Sequence, residues 1–502
     1  MRLRQALVPL SLVVVVAIML VGLRSGPRAT MSPFLKMGGQ AIPSGIASPG
    51  YGLFGCQLGL SSATCYDPYQ MRTAYGTDRL IASGFDGHGK TIVIVDAFQS
   101  PNIVSQLNHY DAFYELPGLN GLGNPDDPTL GTFTQIAPDG LTPFVSGDDN
   151  MTGWAAEISL DVLWAHAIAP GANITLVLAK SNDDADILNA TKYAVDHGLG
   201  DVISQSFGEN ESCMDSTLLV QQHQLFADAT MKGITLFASA GDTGAAQPTC
   251  DGSSYVKAAS SPASDPLVTA VGGTELHAAG YCLTVLGCDP TANPAPGTYE
   301  GEIAWNEFDS SSGTGGGFSV LYDEPPFQQG TIHGGKQRGA PDVSYSAAVE
   351  HGVLTYLDIP GIPAGMYLFG GTSAGSPQWA AILAIADQMA GRSLGFINRS
   401  LYDIGQAQQH YAASLRDVTS GNNSFAADLD NDGTIDVTVE GFNAGPGWDP
   451  TTGLGSPNMA GLANYLVLFN SPGDGAAAVA TTKPHPNGRS NANGHMNPHA
   501  SR

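Results

Sequence analysis

The chain has 502 residues, enough to bury a sizeable core in one large domain or two ordinary ones. Its 46 acidic side chains against 20 basic ones give a formal net charge of −26. That balance argues against nucleic acid and anionic membrane surfaces as partners. It serves solubility, and it suits an acidic medium, because a chain poor in lysine and arginine gathers little positive self-repulsion as its carboxylates take up protons.

The first residues, Met1-Arg2-Leu3-Arg4, precede an apolar run at 6–23 and then Arg24. A basic flank and an apolar core signal export, so 1–24 reads as a signal peptide or a retained N-terminal anchor, with the signal favoured. A secreted protein follows, attached to a membrane only if this segment is kept. Residues 25–58 are rich in Gly, Pro and Ser and read as a short leader or linker. Six cysteines, an even number, fit three disulfides in an exported protein. Proximity pairs Cys56 with Cys65 and Cys282 with Cys288, leaving Cys213 with Cys250. No pair has CxxC spacing, which argues against a zinc or redox motif.

From about Tyr66 the texture alternates between strands and helices. Short β-branched runs at 90–96, 172–178, 202–207, 233–240 and 266–271 predict buried parallel strands. Helical stretches at 155–168, 184–198 and 218–232 lie between them. This repetition predicts an α/β fold with a doubly wound, mostly parallel sheet and a site at the carboxyl ends of its strands. Residues 280–340 read as loops. Residues 367–371 lead into a helix at 378–389, and 471–502 read as a disordered tail.

One hydroxyl stands out. Gly370-Gly371-Thr372-Ser373 delivers a serine to the start of a helix, where free N–H groups favour developing negative charge. The plain alternative is a glycine turn with a Ser or Thr cap. A serine nucleophile also needs a base. Neither His109 nor His166 has a suitable setting. Instead Glu157 and Asp161 stand four residues apart on one helix among Ile158, Leu160, Val162 and Leu163. Two like charges so placed are unfavourable unless one carries a proton, and shared protonation is how paired carboxylates become acid and base. A solvated acidic face is the competing reading. Asp242 follows an apolar strand within Gly241-Asp242-Thr243-Gly244, either an ordinary turn or a protonated donor to an oxyanion.

Together these pieces resemble the sedolisin family of serine-carboxyl peptidases. The matching motifs are the Glu157/Asp161 helix ending in Ala-Pro-Gly, Ser204–Gly208, Ser239–Asp242, Thr269–Thr274, Gly315–Ser319, Arg338–Val343 and Gly371–Pro377. They occur in family order over roughly residues 60–470, so a peptidase domain at 59–470 is implied. The resemblance implies a subtilisin-like fold and cleavage of protein or peptide substrates in acid. Ser373 would be the nucleophile, Glu157 its general base, Asp161 the residue orienting Glu157, and Asp242 the oxyanion donor. Asp96 would be structural or in an outer shell. The Ser204–Gly208 strand would pair with extended substrate backbone. A monomer is expected, and both endopeptidase and tripeptidyl-peptidase action are compatible with the motifs. An inactive peptide- or surface-binding relative and a neutral-pH subtilisin-type protease are the other readings.

The resemblance also implies a calcium site built from side chains of Asp417 and Asp449 and carbonyls of Val418, Gly445 and Gly447, all hard oxygen donors. Between its halves, residues 428–436 match the first part of an EF-hand loop. Position twelve is Val439 instead of the bidentate glutamate, so a second Ca²⁺ and an acidic surface hairpin are both open. One further departure is that only a short stretch separates the apolar run from the catalytic region, whereas most sedolisins carry a substantial prosegment.

Overall fold

Strands with no polar face need burial on both sides. The computed structural model describes residues 30–47, 52–332, 336–430 and 432–486, and it buries the strand-forming runs in that way. In chain order the elements around the site begin with β1 (Ser32–Pro33), β2 (Lys36–Gln40), β3 (Thr91–Ala97), β4 (Phe133–Ile136) and α1 (Asp149–Ile168). Next come β5 (Asn173–Ala179), α2 (Asp184–His197), β6 (Val202–Gln205), β7 (Phe207–Asn210), α3 (Ser216–Met231) and β8 (Thr235–Ser239). The chain continues through β9 (Thr269–Ala278), β10 (Tyr299–Ala304), β11 (Val343–Ser346), β12 (His351–Leu357) and β13 (Gly365–Gly370) to α4 (Gly375–Ala390) and α5 (Gly473–Thr481).

The eight-stranded central sheet has the order β10-β9-β8-β6-β3-β5-β4, with β11 also paired to β9. Its pairings are parallel except β9 with β10. Along β3, Ile92 and Ile94 enter one buried cluster and Val93 and Val95 the other, so the sheet is apolar on both faces. The chain lays β4 and β5 on one side of β3, then crosses to β6, β8 and β9 on the other. The carboxyl ends of β3 and β6 therefore flank a topological switch point, where doubly wound sheets hold their sites. This is the α/β architecture that the strand and helix pattern predicts.

Helix α1 is buried continuously from Trp154 to Ile168 and packs against α4. The three disulfides join Cys56 to Cys65, Cys213 to Cys250 and Cys282 to Cys288. The apolar run within 1–24 lies outside the described residues, and so do 487–502. No helix among the described residues is long and apolar enough to cross a membrane.

Three stretches differ from the sequence reading. Within 280–340, β10 adds an antiparallel edge to the sheet and Gly317–Asp323 pairs with Gln337–Ala340. The glycines there punctuate strands. Residues 471–486, expected as part of a disordered tail, include the helix α5, docked against α3 with Gly475 over Thr230. Its Gly/Ala composition looks like low complexity, yet alanine is the best helix former and small residues permit close docking. Within 25–58, expected as a leader or linker, the described Ser32–Pro33 and Lys36–Gln40 are strands that pair with the body of the protein as β1 and β2.

Candidate active site

Gly371 sits at φ +95°, and the turn Thr372–Ala374 runs directly into α4. A side chain at 371 would be strained, and its Cβ would lie 2.5 Å from Asp242 Oδ2. Glycine is therefore required for the chain to pass Asp242 and present Ser373. The Ser373 hydroxyl donates to the carbonyl of Ser206 at 3.1 Å. Ser206 is the residue between β6 and β7, where the expected 202–207 strand breaks in two.

Glu157 projects from α1 beside Ser373, whose hydroxyl pulls the Glu157 pKa down. In this structure the hydroxyl is turned toward Ser206, and neither Glu157 oxygen completes a hydrogen bond. The stronger influences act the other way. Burial, Asp161 and Asp96 drive Glu157 well above the usual carboxylate range. Asp161, one turn along α1, is also fully buried, and burial raises it, with Ser206 and Glu157 drawing it down. Asp96, at the carboxyl end of β3, completes a stack of three buried carboxyls and is raised by burial and by Asp161. Three carboxyls buried this close to one another cannot all ionise. The burial of α1 on every side removes the solvated acidic face as an account of Glu157 and Asp161.

Asp242 follows β8 and faces the serine turn from the opposite side. Its Oδ1 accepts from the N–H of Thr372 at 2.7 Å and from the Thr372 hydroxyl at 2.9 Å. Its Oδ2 is buried with no partner. Burial pushes Asp242 up to about 7, against the lowering effect of Lys36 and Thr372. The structure thus brings Ser373, Glu157, Asp161 and Asp242 into one water-poor place. It adds Asp96, whose position at a strand's carboxyl end is the only signal the sequence offers.

The two histidines weighed as bases are engaged elsewhere. His166 Nε2 meets the Pro117 carbonyl at 2.8 Å, and His109 stacks on Tyr356 with ring centroids 3.9 Å apart.

The residues named for calcium come together at the C-terminal loops. Asp417 accepts from the Gly447 N–H at 3.0 Å, and Asp449 Oδ2 accepts from the Gly445 N–H at 3.1 Å. The Thr452 hydroxyl reaches both the Val418 carbonyl, at 3.4 Å, and Asp449. Residues 428–436 close a hairpin between Phe425–Ala427 and Val437–Val439, with Asp428, Asp430 and Asp432 gathered closely enough to face one ion.

Comparison with known proteins places this geometry in company. Residues 145–395 match the subtilase family. The chain is 31% identical to kumamolisin from Bacillus sp. (strain MN-32) over 81% of its own length, and 32% identical to sedolisin from Pseudomonas sp. (strain 101) over 57%. It is 30% identical to tripeptidyl-peptidase 1 of Rattus norvegicus over 62% of its length. The chain spans 64%, 44% and 52% of those three relatives, respectively. Among solved structures, a Pseudomonas sedolisin, a serine-carboxyl proteinase complexed with pseudo-iodotyrostatin, superposes with a TM-score of 0.63 at 26% identity. That match covers 82% of this chain and all of the other.

Proposed function

From the premise that the chain belongs to the sedolisin family of serine-carboxyl peptidases, we propose that it hydrolyses peptide bonds of protein or peptide substrates in acid. Ser373 is the nucleophile and Glu157 the base that takes its proton. Asp161 orients Glu157 and shares its proton load, with Asp96 behind it. Asp242 donates a hydrogen bond to the oxyanion from its free Oδ2. The observation that carries this reading is the meeting of Ser373, Glu157 and Asp242 around one buried point, from three separate elements.

The chemistry suits acid. A histidine base would already be charged there, whereas a glutamate ordinarily ionises within the acid range and can then accept the serine proton. A carboxyl donor at 242 works only while protonated, which ties activity to the acidic side.

A calcium ion would suit the loop cluster. The side chains of Asp417 and Asp449 and the carbonyls of Val418, Gly445 and Gly447 would hold it, and these hard oxygens fit Ca²⁺. When bound, it would tie the two loops together. A second Ca²⁺ at 428–436 would order the acidic hairpin in the same way. Action as a secreted monomer completes the proposal.

The test is a profile of denatured-protein hydrolysis from about pH 2.5 to about 8, run beside Ser373→Ala and Glu157→Gln. Acid activity lost in both variants supports the serine–glutamate mechanism. Neutral activity that survives Glu157→Gln favours a histidine-dependent protease, and inactivity throughout favours a binding relative.

A further inference from the structure

Three side chains able to bind a metal meet where β9 passes β12. Glu275 and His277 stand two residues apart on β9 and so share one face of that strand. His351 opens β12, which pairs antiparallel with β13, Val353 opposite Phe369. Both rings come nearest to the same carboxylate oxygen: Glu275 Oε1 lies 3.2 Å from His277 Nε2 and 3.6 Å from His351 Nε2. One ligand atom from each of the three residues lies within 4.8 Å of the other two. In a tetrahedral zinc site with bonds of about 2.0–2.1 Å, the ligand atoms stand about 3.3 Å apart. Small side-chain rotations therefore suffice to close these three on a single ion.

The fold sets one of the rings in advance. β11 pairs with β9 only as far as Thr274. Just beyond, the Leu276 carbonyl accepts from the Tyr66 hydroxyl at 2.8 Å and meets His351 Nδ1 at 2.9 Å. A carbonyl has no proton to give, so Nδ1 carries the proton of that contact, and a neutral His351 has its lone pair on Nε2. Tyr66 is fully buried and also accepts from the Ala278 N–H at 3.1 Å, which fixes the hydroxyl against β9. Metal-bound histidines ordinarily donate their second N–H to a carbonyl or carboxylate in this manner. Nε2 and Glu275 Oε1 are then two acceptors at close range, and a cation between them relieves their repulsion.

The donor set decides which cation fits. Two imidazoles and one carboxylate suit Zn²⁺ and its first-row neighbours, whereas Ca²⁺ takes six to eight oxygens. No cysteine is free among the described residues, so no thiolate competes for the ion. The His277 side chain is 42% exposed, which leaves a way in from solvent and room for water as a fourth ligand.

We propose that Glu275, His277 and His351 form a site for a divalent transition-metal ion of the zinc class, which staples β9 of the central sheet to β12. The neighbour of β12 is β13, which leads into the serine turn, so the staple steadies the strand pair from which that turn departs. The site stands independently of the peptidase reading, because none of its residues is among the groups proposed to react.

The experiment is equilibrium dialysis of the full chain against Zn²⁺ at about pH 7.5, where ordinary imidazoles are neutral, with excess Ca²⁺ to fill sites made of oxygen alone. It runs beside His277→Ala, His351→Ala and Glu275→Gln, each checked for folding by circular dichroism. The proposal expects a single zinc ion per chain, with affinity weaker by at least about tenfold in every variant. Co²⁺ in place of Zn²⁺ should give the visible absorption of a four-coordinate ion, lost in His277→Ala. Zinc should also raise the Tm of the wild type, and EDTA should cancel the rise. His277→Ala keeps the test decisive if His351→Ala fails to fold, because the His277 ring is largely in solvent while His351 bonds the Leu276 carbonyl. If no zinc binds, or if it binds undiminished in His277→Ala, the proposal is overturned; the second result would move the ion to other histidines, such as those within 485–499.

Discussion

Thr372 holds Asp242 by one oxygen only: its N–H and its hydroxyl both donate to Oδ1, at 2.7 and 2.9 Å, and Oδ2 is left facing the serine turn. The carboxyl is thereby oriented as well as buried. Burial pushes it up to about 7, so in acid it carries a proton on the oxygen that has no other partner.

The pH profile of activity should carry this signature. The donor is lost as pH rises through about 7, so kcat falls on that limb. Asp242→Ala should lower kcat by about 10²–10³ across the acid range. Asp242→Asn keeps an N–H donor that does not titrate, so it should retain part of the rate and flatten the alkaline limb. Steady-state kinetics on a peptide substrate read all three.

Stability should also be greatest in acid. Burial raises Asp96, Glu157 and Asp161, and it pushes Glu211 up to about 7 and Asp387 up to about 8. A carboxyl whose folded pKa lies above its unfolded value near 4 stabilises the fold fully below that unfolded value. Its contribution is lost as pH rises through the folded one. The Tm of the Ser373→Ala protein should therefore be at least about 5 °C higher at pH 4 than at pH 8. Asp387→Asn should shrink that difference. A Tm that rises toward neutrality would contradict this reading.

Arg338 makes a separate prediction. It is fully buried and paired with Asp342, Nη1 to Oδ1 at 2.7 Å and Nη2 to Oδ2 at 2.6 Å. Asp342 also accepts from the Ala270 N–H at 2.8 Å and the Tyr402 hydroxyl at 2.9 Å. Removing one member leaves an uncompensated buried charge, so Arg338→Met should cost about 3–5 kcal/mol in urea unfolding. The pH profile of activity per folded molecule should not move, because Arg338 touches none of the groups proposed to react.

Calcium should act on stability before it acts on chemistry. Addition of Ca²⁺ at about a hundred times its Kd should stabilise the protein by about 2.7 kcal/mol, and EDTA should reverse this. Asp449→Ala should abolish the calcium-dependent part of Tm. If the effect instead disappears on Asp430→Asn, the ion belongs to the hairpin at 428–436.

Much of the site was legible because its signals are local. Glu157 and Asp161 share a helix face, Asp242 follows a strand, and Ser373 follows a pair of glycines, so each could be placed from its immediate neighbours. Asp96 could not be promoted beyond an outer position, because its nearness to Asp161 depends on how β3 lies beneath α1. The leader was misread for a related reason. Met31 to Gln40 has no hydrophobic period, and its structure comes from edges supplied by residues near 207 and 370. Long-range pairing of that kind leaves no trace in a short window. The α5 helix escaped notice because alanine and glycine suggest disorder when the surface that receives them is unknown.

The groove formed by β7 and β13 has a consequence for what the protein can eat. Both strands pair with extended main chain beside the serine turn, so on the proposed function a target would have to arrive stretched out for several residues around the cut, with its own helices and hairpins already undone. Folded proteins offer few such stretches. Acid supplies them by protonating the carboxylates that hold many prey together. If the chain acts in acid as proposed, the low pH that arms the groove also prepares its substrate, and specificity becomes in large part a matter of which neighbours unravel first.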